Sequence, residues 1–296
     1  MTLALDTLRQ VQRIHIRTRR LVDGVFAGHY HSVFKGQGIE FAEVRDYVPG
    51  DDVRTIDWNV TARLGQPYVK RHVEERELTV MLLIDLSASG RFGSGARSKL
   101  DIALEIASLL TLSATRHHDK VGMVLFTDRI ERFMAPRGGR NRAMRLILEL
   151  LTFEPEGRGT EIGKALDYLQ RALRKRTVTF LLSDFHGDPF ETELRLVRRR
   201  HDLIPICIRD PRETALPDVG LIRLEDMETG RPIMVDTGDA AVRREFEKRQ
   251  NEARAARRRL FSSFGLDVVE VDSAASYIHP LLRFFRQREQ RLREGR

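Results

Sequence analysis

Behind the apolar run Val80-Met81-Leu82-Leu83-Ile84 stands Asp85, followed by hydroxyls at alternate positions, Ser87 and Ser89. A further hydroxyl, Thr160, lies in the glycine-flanked stretch GRGTEIGKAL, and a second carboxylate, Asp184, ends the apolar run TVTFLLSD. Two carboxylates and three hydroxyls make a hard-oxygen set, suited to Mg2+, Mn2+ or Ca2+ and poor for zinc or copper. Hydroxyls are neutral, weak ligands, so much of a divalent charge stays uncompensated. Magnesium also keeps waters and tends to complete its shell with a partner's oxygen. The natural complement is an acidic side chain from another molecule. Taken singly, each residue has a plainer explanation: strand-end aspartates serve turns, and Ser or Thr before a helix caps it. The order Asp-x-Ser-x-Ser, threonine loop, strand-end Asp is what points to a common site.

Such residues need strands that end together. From residue 78 the chain alternates near-continuous apolar runs (LTVMLLID, KVGMVLFTD, TVTFLLSD, DLIPICIRD, LDVVEVD) with helical patterns such as SKLDIALEIASLLTLSATRHHD and EIGKALDYLQRALRKR. This predicts an α/β fold, a doubly wound and mainly parallel sheet covered on both faces. Ligands of such sheets sit at the carboxyl ends of the strands, near the point where strand order reverses. GLIRLEDMETGRPIMVD reads as an inserted hairpin with METGR at its turn. A long helix follows over roughly 239 to 262, and SYIHPLLRFFRQREQRLR closes the chain as a helix. Upstream the texture differs. Leu8, Val11, Ile14, Leu21, Val22 and Val25 have helical spacing within residues 4–27, and the glycine-rich stretch after them suggests short strands and tight turns. The expected division is residues 1–76, a helix and irregular N-terminal segment, and residues 77–296, the regular domain.

LLIDLSAS, GRGTEIGKAL and FLLSDF resemble the three parts of the metal-ion-dependent adhesion site of von Willebrand factor A-type domains, whose fold is Rossmann-like. The upstream GIEFAEVRDYVPGDDVRTIDWNVTARLGQPYVKRHVEERE is similar to the signature of the bacterial family called domain of unknown function 58, and the resemblance covers roughly residues 20 to 295. It implies that Ser87, Ser89 and Thr160 are hydroxyl ligands, that Asp85 and Asp184 act directly or through metal-bound water, and that a partner carboxylate fills the open position. Gly90 stands where many members carry Met, which alters local packing more than coordination. The resemblance also implies a partner, an AAA+ ATPase of MoxR type, and a chaperone-like role. The expected function is a metal-dependent protein-interaction module without intrinsic catalysis.

Other chemistries fit less well. MLLID and FLLSD each resemble a Walker B strand, but no G-x-x-x-x-G-K-[ST] accompanies them, and no G-x-S-x-G makes Ser87 or Ser89 a nucleophile. A divalent-metal-dependent hydrolase of phosphoesters is the alternative, with His186 the only nearby base. The histidines at 29, 31, 117 and 118 read as surface or packing residues. Asp51, Asp52 and Asp57 interleave with Arg45, Arg54 and Arg63, which reads as a network of caps and ion pairs, with Trp58 packing that segment onto the domain. Apolar residues make up 41% of the 296, enough for a sizeable core. The net charge of +8 comes in runs such as RAARRRL, which read first as solvated helix faces and only second as a nucleic-acid surface. The single Cys207, in an apolar run, reads as a buried inert thiol. No apolar run approaches the roughly 18 residues of a membrane span, and the charged N-terminus lacks a signal peptide's apolar region. A cytoplasmic location is the simplest expectation.

Overall fold

The computed structural model describes residues 27–34, 41–73 and 77–294. The amphipathic helix expected over residues 4–27 lies outside the described residues but for Ala27, and so do the side chains of His29 and His31. Two compact units are present. One is Phe34–Leu78, and the other is Thr79–Arg296 together with the chain up to Val33.

The first described element is helix α1 (Ala27–Phe34). Its Tyr30 is fully buried, stacks on His117 at 5.9 Å, meets Phe285 edge-on at 6.1 Å and donates a hydrogen bond to Asp119 Oδ2 at 3.1 Å. The small unit pairs strands β1 (Phe41–Asp46) and β2 (Tyr68–Val73) antiparallel around helix α2 (Trp58–Leu64). Its aspartates are structural. Asp51 holds Arg45 bidentately at 2.7 and 2.8 Å, Asp52 accepts from the Arg54 amide, and Asp57 caps α2 by accepting from the Asn59 and Val60 amides. Trp58 is 68% exposed. As the first residue of α2 it sits at a helix end, where few neighbours enclose a side chain.

The large unit carries a six-stranded sheet in the order β10-β7-β6-β3-β4-β5. Strand β3 (Thr79–Asp85) leads into helix α3 (Lys99–Arg116), then β4 (Lys120–Phe126) and β5 (Ile130–Arg137). Helices α4 (Arg140–Thr152) and α5 (Ile162–Ala172) precede β6 (Val178–Ser183), helix α6 (Glu191–Arg200) and β7 (Asp202–Arg209). A separate antiparallel hairpin, β8 (Leu221–Glu225) and β9 (Pro232–Asp236), comes before the long helix α7 (Ala240–Ser263). Strand β10 (Val269–Asp272) and helix α8 (Ile278–Glu294) close the unit.

Five strands run parallel, and only the edge strand β5 is antiparallel, with two register shifts against β4. The parallel strands are apolar throughout because helices cover both faces, and β3, β4 and β6 are buried along nearly their whole length. One face packs Met81, Leu83, Val124 and Leu181 against Leu166 of α5, Leu194 of α6 and Phe261 of α7. The sequence pattern did not reveal β5. Its residues are half-buried or exposed except for Met134, and it contains Pro136.

Candidate metal centre

Strand β3 lies between β4 and β6, so the chain leaves it in one direction to β4 and later returns on its other side as β6. That is the switch point at which the carboxyl ends of two neighbouring strands open a crevice. Ile84 pairs with Leu182 in the parallel ladder, so the next residues, Asp85 and Ser183, end the two strands side by side. The Ser183 hydroxyl donates to Asp85 Oδ2 at 2.6 Å, and Asp85 Oδ1 accepts from the Ser87 amide at 2.9 Å. The Ser87 and Ser89 hydroxyls stand 3.1 Å apart. The Ala88 amide donates to the Arg158 carbonyl at 2.9 Å, which ties this loop to the one carrying Thr160.

Asp184 follows β6 directly. The Ser183 hydroxyl accepts from the Phe185 amide at 2.8 Å, and Phe185 adopts the left-handed φ of 58° that turns the chain sharply. Gly187, at φ 144°, then passes so close to the other loop that a Cβ there would lie 2.9 Å from the Thr160 carbonyl oxygen. Glycine at this position is what lets the Asp184 and Thr160 loops meet. Asp85, Ser87, Thr160 and Asp184 are all buried, and Ser89 is half-buried.

Burial and the Asp184 charge push the Asp85 carboxyl up to about 6. For Asp184 burial acts in the same direction, but His186 and the Lys99 charge outweigh it and hold the carboxyl well below the usual range. The Lys99 ammonium is 2.6 Å from Asp184 Oδ2 and also meets Glu213. Lys99 opens α3, behind a capping box in which the Ser98 hydroxyl accepts from the Asp101 amide and the Asp101 carboxylate accepts from the Ser98 amide. A buried cation at a helix N-terminus is opposed by both desolvation and the helix dipole. Burial would lower its pKa, yet Asp184 and Glu213 raise it, so Lys99 stays charged. Glu213 is itself fixed by accepting from the Asp210 amide at 3.1 Å, in a turn where buried Asp210 binds Ser94 and Ser273.

The five residues expected from the sequence therefore lie on three loops that meet at one end of the sheet. Three further groups surround them: Lys99, Glu213, and Glu228 from the β8–β9 turn, whose Oε1 accepts from the Thr160 hydroxyl at 2.7 Å. No sequence signal marked these three as site residues, since each acts on a partner far along the chain. His186 donates its amide to Asp184 Oδ1, with its ring Nδ1 3.4 Å from the same oxygen.

Among the described residues no three carboxylates, imidazoles or thiols gather to hold a metal. The donor set is instead two buried carboxylates with hydroxyls, which suits a hard cation. Oxygens on adjacent octahedral positions around Mg2+ lie about 3 Å apart, and the Ser87–Ser89 separation matches that spacing. The raised Asp85 marks the place where added positive charge would be most favourable. The residues present fit a divalent cation. Cys207 is buried with its thiol pushed up to about 12 by burial, so it offers no competing soft ligand.

The chain is 30% identical over 281 residues to Uncharacterized protein Rv1480 of Mycobacterium tuberculosis, covering 94% of this chain and 88% of that protein. Among solved structures, an aerotolerance-related membrane protein of Bacteroides fragilis is 16% identical with a TM-score of 0.44, over 72% of this chain and 99% of the other. A von Willebrand factor type A protein of Catenulispora acidiphila is also 16% identical, with a TM-score of 0.35, over 62% and 43%. The cytoplasmic location expected from the sequence is overturned here, because matching structures include proteins described as membrane proteins. No described helix is long and apolar enough to cross a membrane, and that observation assigns no compartment. A family profile described as "Protein of unknown function DUF58" matches residues 43–256, and with the near full-length likeness to Rv1480 this places the chain in the DUF58 family.

Proposed function

We propose that this protein is a divalent-cation-dependent protein-interaction module, in which Asp85, Ser87, Ser89, Thr160 and Asp184 hold Mg2+, or Mn2+ or Ca2+ in its place. The observation that carries this reading is the pair of buried carboxylates at the ends of β3 and β6, with the Ser87, Ser89 and Thr160 hydroxyls beside them and, among the described residues, only Asp184 answered by a cation, Lys99. Such a shell leaves a cation under-neutralised, so its chemistry is electrostatic capture of an oxygen anion. Asp85 and the hydroxyls bind, while Asp184, half-answered by Lys99, orients from the side. The occupant of the remaining position is an acidic side chain of a protein partner. The partner proposed is an AAA+ ATPase of MoxR type, for which the chain serves as adaptor or co-chaperone.

The test is a pull-down with the full chain as bait, in Mg2+ and in EDTA, comparing wild type with Asp85→Ala. Capture of the ATPase that needs both Mg2+ and Asp85 is the expected outcome. Equal capture by both proteins would overturn the reading. A parallel arm measures hydrolysis of bis-p-nitrophenyl phosphate with and without Mn2+. Turnover that disappears in His186→Ala would establish the hydrolase alternative instead.

A further inference from the structure

We infer that the β8–β9 hairpin is wired to the cation site, with Glu228 as the positioning residue that makes the Thr160 hydroxyl a ligand. This rests on the cation reading above. A hydroxyl binds a cation through an oxygen lone pair, so its proton must be directed at another acceptor. The structure supplies that acceptor: buried Thr160 donates to Glu228 Oε1 at 2.7 Å, across 68 residues of sequence. A charged acceptor also draws electron density toward the oxygen and raises its basicity as a ligand.

The hairpin turn is built to present this carboxylate. Asp226 Oδ1 accepts from both the Glu228 and Thr229 amides at 2.9 Å, and the Gly230 amide donates to the Asp226 carbonyl at 2.7 Å with φ at 70°. The strands behind it belong to no larger sheet, and Leu221, Ile233 and Met234 are each more than half exposed. A two-stranded hairpin of this kind is marginal alone, so its position responds to small forces. Cation binding at Thr160 and placement of the hairpin are then coupled, and the coupling is reciprocal.

The test uses the full chain and Mn2+ as probe, with Glu228→Ala and Glu228→Gln beside wild type and Asp85→Ala. Glu228→Ala is expected to weaken Mn2+ by roughly 10–100-fold, the scale of lost outer-shell partners. Water-proton relaxation is expected to show one added metal-bound water where Thr160 has left. Glu228→Gln, whose amide oxygen still accepts the Thr160 proton, should recover most of the affinity. In wild type but not Glu228→Ala, Mn2+ should slow amide exchange at Asp226–Arg231. If Mn2+ binding needs Asp85 yet affinity, relaxation and exchange are the same in Glu228→Ala, the hairpin coupling is wrong and the cation site stands. If wild type binds no Mn2+, or Asp85→Ala binds it equally, the cation site fails and this inference with it.

Discussion

Replacing Lys99 by Met keeps most of the length of the side chain and removes its charge. Lys99 and Asp184 have side chains only 2% and 3% exposed and stand 2.6 Å apart, so water cannot take over the role of the ammonium. Removing one partner of such a buried pair costs about 3–5 kcal/mol, because the remaining charge is left uncompensated. Glu213 adds little to the loss, since at 23% exposure solvent already reaches its charge. For a domain of this size each kcal/mol moves Tm by about 2–4 °C, so Lys99→Met should melt about 6–20 °C lower in EDTA. The double variant Lys99→Met/Asp184→Asn removes both charges and should recover much of that loss. Mg2+ provides the second half of the experiment. A ligand at 100 times its Kd stabilises by about 2.7 kcal/mol, and Lys99→Met should gain more than wild type because the cation then answers both carboxylates. Scanning calorimetry in EDTA and in MgCl2 reads all four conditions. A fall of under about 2 °C in EDTA, or the same Mg2+ response in both proteins, would refute the idea that Lys99 neutralises Asp184 in the cation's place.

Two other perturbations follow from the same coordinates. His201 is buried, with Nδ1 2.8 Å from the Thr177 hydroxyl, and burial with nearby Arg200 pushes it down to about 4. Between its ordinary 6.5 and 4 the unfolded chain binds more protons, so stability falls with pH through that window and levels off below it. The upper bound is about 3.5 kcal/mol at about 1.4 kcal/mol per unit; urea melts at pH 7 and 4.5 should show stability lost as pH is lowered in wild type and a shallower loss in His201→Gln. Gly187→Ala introduces a Cβ 2.9 Å from the Thr160 carbonyl at a φ of 144°. It should cost about 1–3 kcal/mol in thermal melts and weaken Mn2+ in titrations, by forcing the Thr160 and Asp184 loops apart.

Strands β3, β4, β6 and β7 were legible because burial on both faces leaves a continuous apolar run that no surface helix shares. Strand β5 was hidden, since an edge strand meets both core and solvent and its pattern resembles a loop. Asp85, Ser87 and Ser89 could be read because one local motif carries all three. Lys99, Glu213 and Glu228 could not, because their partners lie 85, 114 and 68 residues away and only the closed sheet brings them close.

The two borders of the main sheet bear on how the protein meets others. Strand β5 carries Pro136 and slips register twice against β4, and β10 at the far side offers only four residues. A foreign strand seeking to extend the sheet finds a broken ladder on one side and a short one on the other. Accretion of copies along the sheet is thereby discouraged, and so is recognition by strand addition. The groups able to do chemistry gather instead at the rim where the parallel strands terminate, so on the reading proposed above binding there is a matter of point chemistry and not of backbone zippering.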